Sequence, residues 1–168
     1  GALLNMIDCM LLDEKIGVVH QIPWVIANRS THFQLLFFGC SHARLYLIGN
    51  CVSPTPPING MSLLLRKKIL EQIGGLKPLA FCVFEDAEIG ARMIASGFNC
   101  VLAAYPVIQN PPPDPCDSIL FERLLRWKIL QREFLFSRWK TGSWSAILGT
   151  TLIILTESSC PMSFLVVC

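Results

Sequence analysis

The sequence predicts an α/β fold, and three observations carry that expectation. Runs of strand length and strand composition occur at residues 16–20, 63–65 and 100–104. Between them apolar residues return at helical spacing, as Ile89, Met93 and Ile94 do. Glycines then stand where helices would end, Gly74-Gly75 after one and Gly97 after another. A chain of 168 residues is long enough for one domain with its own core and short for a second.

In chain order, residues 3–12 form an apolar stretch broken by Asp8 and read as a helix. Asp13-Glu14-Lys15 is a polar turn before the strand at 16–20, so a helix leads into the sheet. His20 ends that strand, just before Gln21 and Pro23; a lone histidine there is more often structural than ligating, and it receives no role. Residues 31–38 resume helical spacing. Residues 39–44, Gly-Cys-Ser-His-Ala-Arg, interrupt it before the apolar LYLIG, and His42 and Arg44 there either face a cleft or mark a solvated helix end. Pro54, Pro56 and Pro57 exclude regular structure and make an extended loop.

Asn59-Gly60-Met61-Ser62 runs into the buried strand 63–65, and Arg66-Lys67-Lys68 opens an amphipathic helix closed by Gly74-Gly75. Glycine at position 60 lets backbone approach a ligand closely. The apolar run 81–84 is expected to bury and to deliver Glu85 and Asp86 to the start of the next helix. After the strand at 100–104 comes Tyr105-Pro106, and residues 110–115, NPPPDP, read as a stiff polyproline linker. Asp117 or Ser118 then caps a helix carrying Arg123, Arg126 and Trp127. The chain thus divides into an α/β part at 1–116, a basic amphipathic helix at 117–140 and an apolar segment at 141–168. The cleanest apolar stretch of that last segment, 144–156, is shorter than the roughly 20 residues a membrane span needs, which makes it an interfacial, re-entrant or truncated membrane helix.

Composition narrows the function classes. Hydrophobic residues make up 52% and mean hydropathy is +0.51, while charged residues are 15%, against about 25% in ordinary soluble domains. Such a chain is deeply buried or partly in lipid. A net charge of +2 is too small to imply nucleic acid. The eight cysteines, at 9, 40, 51, 82, 100, 116, 160 and 168, contain no CxxC pair, so neither a zinc site nor a disulfide scaffold is supported. They read as reduced thiols on the cytosolic side of a membrane. With no initiator Met, no signal peptide and an end inside an apolar run, the sequence is expected to be part of a longer polypeptide.

Two features carry chemistry. Glu85 and Asp86 are adjacent carboxylates at a helix start, where backbone amides and the positive end of the dipole stabilise negative charge. A base held ionised and a simple helix cap both fit that position. Arg123, Arg126 and Trp127 recur at a spacing that presents them on one helix side. Guanidinium forks bind phosphate oxygens bidentately, which suits a diphosphate; a basic helix at a lipid headgroup layer, anchored by Trp127 and Trp139, fits equally, and the two are compatible.

The segments KIGVVHQIPW, FFGCSHARLYL, NGMSLLLRKKILEQIGGL, FEDAEIGARMIASGF and RLLRW, in this order between residues 8 and 128, resemble the membrane-bound inverting GT-A glycosyltransferases and, among them, the ceramide glucosyltransferases. The resemblance implies a partial GT-A domain, Rossmann-like and nucleotide-sugar binding, followed by an interfacial or membrane helical segment. It implies transfer of glucose from UDP-glucose to the primary hydroxyl of ceramide with inversion. Asp86 corresponds to the catalytic base, with Glu85 beside it, and the R/Q-x-x-R-W signature to Arg123, Arg126 and Trp127. His42, in the segment similar to FG-x-SH-x-R, and Gly60 become substrate-binding candidates. One base suffices, because a diphosphate leaves without a general acid, and a cationic clamp neutralises it.

A divalent cation, Mg²⁺ or Mn²⁺, is implied, but its D-x-D-type carboxylate has no counterpart in these residues, so the chain alone is expected to be inactive. The implied setting is the Golgi membrane with the active site facing the cytosol, with membrane lipid as partner and no nucleic acid. Departures are the prolines at 54, 56 and 57 and the fading of similarity after Lys128. Two other readings stand beside this one: a non-catalytic membrane-associated fragment or pseudoenzyme binding anionic lipid through its basic helix, and a related polysaccharide synthase of cellulose or hyaluronan type.

Overall fold

The computed structural model describes residues 1–25, 43–52, 58–82 and 84–109, together with Glu122, Leu125, Arg126 and Ile129. Their elements run α1 (Ala2–Leu11), β1 (Ile16–His20), β2 (Pro23–Val25), α2 (Ala43–Val52), β3 (Leu63–Leu65), α3 (Lys67–Gln72), a 3-10 turn (Lys77–Leu79), α4 (Glu85–Ala95), β4 (Asn99–Leu102) and β5 (Val107–Gln109). The fold is a mixed α/β arrangement, as its alternating pattern predicts.

β1 is the centre of a three-stranded sheet ordered β3-β1-β4, antiparallel to β3 and parallel to β4. All five of its residues are buried, the state that a continuous IGVVH run requires of a strand covered on both faces. A register shift between Ile16 and Val18 sorts its side chains unusually. Ile16 and Val19 pack with Met6 and Met10 of α1, whereas Val18 packs with Ile69, Ile89 and Met93 of α3 and α4. A bulge of this kind breaks strict alternation and lets one short strand feed two cores. α1 therefore covers one face of the sheet, and α3 with α4 the other.

Local signals set most boundaries. Gly74, Gly75 and Gly97 have φ of 100°, 69° and 82°, left-handed values that stop α3 and α4 where side-chain-bearing residues would be strained. Arg66 precedes α3 rather than opening it, and its guanidinium turns back to the carbonyls of Met10, Asp13 and Ile16. It thereby ties the end of α1 to the start of β1.

The structure corrects several expectations. Phe81, expected to bury, is 94% exposed, and it is Leu79 at the end of the 3-10 turn that packs into the core. Ala43 and Arg44 belong to helix α2 together with LYLIG and do not interrupt a pattern. The third strand ends at Leu102, two residues earlier than read, with Ala103 buried beyond it. β2 and β5 were not anticipated; they form a separate parallel pair in which Trp24 faces Ile108 in register. The helix at 31–38, the proline loop 53–57, the linker 110–115 and segment 141–168 lie outside the described residues. Among the described residues no helix is long and apolar enough to cross a membrane.

Candidate active site

Helix α4 begins with acids: Glu85, Asp86 and Glu88 all fall in its first turn. Their surroundings separate them. Glu85 is exposed. Glu88 is committed along its own helix, its Oε1 accepting from Arg92 Nε at 2.8 Å. Asp86 is half-buried, and both of its oxygens are held by amides. Oδ1 accepts the Ala87 N–H at 2.7 Å and Oδ2 the Gly60 N–H at 2.9 Å.

The loop that supplies Gly60 is drawn to α4 by packing. Gly90 lies four residues after Asp86 and so on the same helix face. A Cβ there would collide with the Ile58 side chain, so glycine lets Ile58 seat directly on the helix. Two residues on, a Cβ at Gly60 would stand 2.9 Å from Asp86 Oδ2. Glycine at 60 is thus required by the approach of the carboxylate itself, and its N–H is engaged by Asp86.

Burial pushes the Asp86 carboxyl above the usual carboxylate range; the Ala87 and Gly60 amides oppose that shift and neighbouring Glu85 adds to it. A carboxylate with raised proton affinity, anchored at both oxygens, is equipped to take a proton from a hydroxyl. Among the described residues no ion pair involves Asp86.

Behind Asp86 lies a buried polar wall that sequence reasoning did not assemble. Tyr46 of α2 is buried, and the charge of Asp86, secondary to burial, helps raise the affinity of its phenol for its proton. Its ring meets the His20 imidazole edge to face at 5.9 Å. His20 is fully buried and its pKa falls to about 4 through desolvation, partly countered by the Asn50 side chain. Among the described residues nothing hydrogen-bonds its Nε2. The imidazole is therefore neutral at physiological pH and serves as an acceptor, its Nδ1 taking the Asn59 N–H at 3.4 Å. The spacing of Ala43, Tyr46 and Asn50 marks one helical face but not what that face meets.

Other predicted site residues are placed less fully. His42, Arg123 and Trp127 lie outside the described residues. Arg126 is helical and exposed. Among the described residues, no three His, Cys, Asp or Glu side chains cluster as a metal centre needs.

With this geometry in place, comparison with known proteins is informative. The family described as Glycosyl transferase family 21 matches residues 1–164. Ceramide glucosyltransferase 1 of Caenorhabditis elegans is 32% identical over 127 residues, 74% of this chain and 27% of the relative. Ceramide glucosyltransferase 3 of the same organism is 30% identical over 126 residues, with the same shares of each chain. The chain thus spans about a quarter of the length of these curated relatives.

Proposed function

Because the chain belongs to Glycosyl transferase family 21, we propose that the complete polypeptide transfers glucose from UDP-glucose to the primary hydroxyl of ceramide with inversion, and that Asp86 is its base. The observation that carries the reading is the anchored, half-buried Asp86 carboxylate at the start of α4.

In this reaction the acceptor oxygen attacks the anomeric carbon as Asp86 removes its proton. The new carbon–oxygen bond forms on the face opposite the departing diphosphate, and UDP leaves with the electron pair of the broken bond. Arg123, Arg126 and Trp127 are assigned to the diphosphate side, where fixed guanidinium charge stabilises the leaving group. Glu85, exposed beside the base, and His42 are assigned to substrate contact. Gly60 contributes by holding the base. A divalent cation, Mg²⁺ or Mn²⁺, belongs to this reading, but the described residues do not form its site, and no step is derived through it. A Golgi membrane location with the site facing the cytosol is compatible with the free cysteines at 9, 51, 82 and 100.

The test is product analysis. Membranes of cells lacking glucosylceramide synthesis, expressing the complete polypeptide, receive labelled UDP-glucose and ceramide. Labelled glucosylceramide is expected, and no labelled lipid in a well-folded preparation would sink the proposal. A labelled polymer instead would point to a polysaccharide synthase.

A further inference from the structure

We infer that Asn59 is a positioning residue for the Asp86 base, its buried carboxamide fixing the 59–60 peptide so that the Gly60 N–H faces Asp86 Oδ2. The inference rests on the reading of Asp86 as base and adds a residue that neither the motifs nor the family resemblance singles out.

Asn59 is 1% exposed and is held at three points. Its N–H donates to His20 Nδ1 at 3.4 Å, its Nδ2 donates to Gln21 O at 2.7 Å, and its Oδ1 accepts the Met61 N–H at 3.1 Å. The first two bonds tie it to the exit of β1, and the third closes a side-chain turn around Gly60. A peptide is planar, so once the residue before it is immobilised and the residue after it is pinned, little freedom is left to the Gly60 N–H.

The holders are themselves held. Gln21 is fully buried, its Oε1 accepts from Ser62 Oγ at 3.0 Å, its Nε2 donates to Ala2 O at 3.2 Å, and its N–H donates to Ser62 O at 3.3 Å. The chain of contacts runs from the rigid centre of the sheet, through Asn59, to the carboxylate. Such a built-in donor lies in place before substrate arrives, which is how preorganised dipoles act without reorganising during reaction.

A residue that merely stabilised the loop would leave the proton affinity of Asp86 alone once the protein was folded. A positioning residue does not, because the Gly60 N–H is one of the two amides that hold that affinity down. Among the described residues, the ionisable groups that act on Asp86 are Glu85 on its own helix and Tyr46 on α2, with neutral His20 on β1 beside Tyr46. Neither Glu85 nor Tyr46 is altered by substitution at 59.

The experiment compares wild type, Asn59→Ala, Asn59→Ser, Asp86→Asn and the Asn59→Ala/Asp86→Asn double variant of the complete polypeptide in membranes. Asn59→Ala is expected to lower kcat roughly 10–100-fold with donor KM nearly unchanged. The acid limb of its pH–rate profile should move to higher pH. Asn59→Ser, whose hydroxyl can still accept the Met61 N–H, should recover part of that shift. The double variant should be no slower than Asp86→Asn. An unmoved acid limb, or losses that multiply in the double variant, would overturn the inference, and so would failure of both Asn59 variants to fold. The carbon-13 shift of the Asp86 carboxyl, titrated with and without Asn59→Ala, gives the same answer without turnover. If wild type transfers no glucose, the activity reading fails while this titration still decides the role of Asn59.

Discussion

The Gly60 N–H donates to Asp86 Oδ2 across 2.9 Å and joins, over 26 positions of sequence, a loop anchored to the central strand with the first turn of α4. This contact explains why one acid of three in that turn is set apart. Glu85 remains in solvent and Glu88 accepts from Arg92, whereas Asp86 is half-buried with a backbone donor on each oxygen.

Asp86→Asn should therefore cost roughly 10²–10⁴-fold in turnover while largely preserving UDP-glucose binding, the usual magnitude for loss of a general base. Its effect on stability should depend on pH. The native state holds the Asp86 proton more tightly than the unfolded chain, so stability declines as pH rises from the ordinary value of 3.8 through the raised native one. Asn removes that titration, but its amide nitrogen cannot accept, so one of the Ala87 and Gly60 N–H groups loses its acceptor. Thermal melting across the acid range should therefore show a Tm that declines less with rising pH in the variant than in wild type; an equal decline in both would contradict the burial argument.

The place of Asp86 at a helix start was legible because the signal is local: an acidic pair followed by Ile89 and Met93 at helical spacing marks that start. The strand at Ile16–His20 was legible for the same reason, as an uninterrupted apolar run before a polar exit. Tyr46 and Asn59 were not, since their importance arises from convergence. Asn59 meets His20 and Gln21 across 39 and 38 positions, a proximity no spacing rule encodes. Phe81 shows the complementary failure: its apolar character suggests burial, but the 3-10 turn presents Leu79 to the core and leaves Phe81 in solvent. The split of Ile16 from Val18 depends on a bulge that has no sequence marker beyond Gly17 between them.

His20 makes a second titration prediction with the reverse slope. Its native pKa of about 4 lies below the ordinary 6.5, so the unfolded state takes up its proton first as pH falls. Stability from this group is intact above pH 6.5 and is lost between there and about pH 4. The full loss is about 3 kcal/mol, in keeping with a neutral imidazole enclosed without a charged partner. Denaturant unfolding at pH 7, 6 and 5 should show falling stability, and His20→Gln should flatten that dependence. An equally steep slope in His20→Gln would assign it to other groups.

Arg66 provides a structural contrast to the site. Its Nε donates to Ile16 O at 3.0 Å and its Nη2 reaches Met10 O and, at 3.2 Å, Asp13 O. Met10 lies in the last turn of α1, where carbonyls lack helical partners and a cation is favoured. Arg66→Met should destabilise by about 2 kcal/mol, through lost charge-assisted bonds and stranded carbonyls. Arg66→Lys should recover less than half, because a point charge cannot reproduce a planar fork. The acid limb of turnover should stay in place in both, since the Arg66 side chain is bonded to the carbonyls of Met10, Asp13 and Ile16 and not to the groups that hold Asp86.

Gly90 tests whether packing, and not only hydrogen bonding, sets the base. In an exposed helix interior, Gly→Ala stabilises by about 1 kcal/mol. Here a Cβ would stand 2.7 Å from Ile58 Cγ1, closer than carbon atoms tolerate, and Ile58 is itself buried in the core with Ile89 and Met93. Gly90→Ala must displace Ile58 and with it the loop two residues before Gly60. The expected result is a net loss of about 1 kcal/mol or more from overpacking. An acid limb shifted to higher pH should accompany it, because the Gly60 amide moves off Asp86. Gly90→Ala paired with Ile58→Val, which shortens the obstructing side chain, should restore both quantities toward wild type. If Gly90→Ala instead raises stability and leaves the acid limb unchanged, then α4 and the 58–60 loop are not in the close contact from which the position of Asp86 is argued.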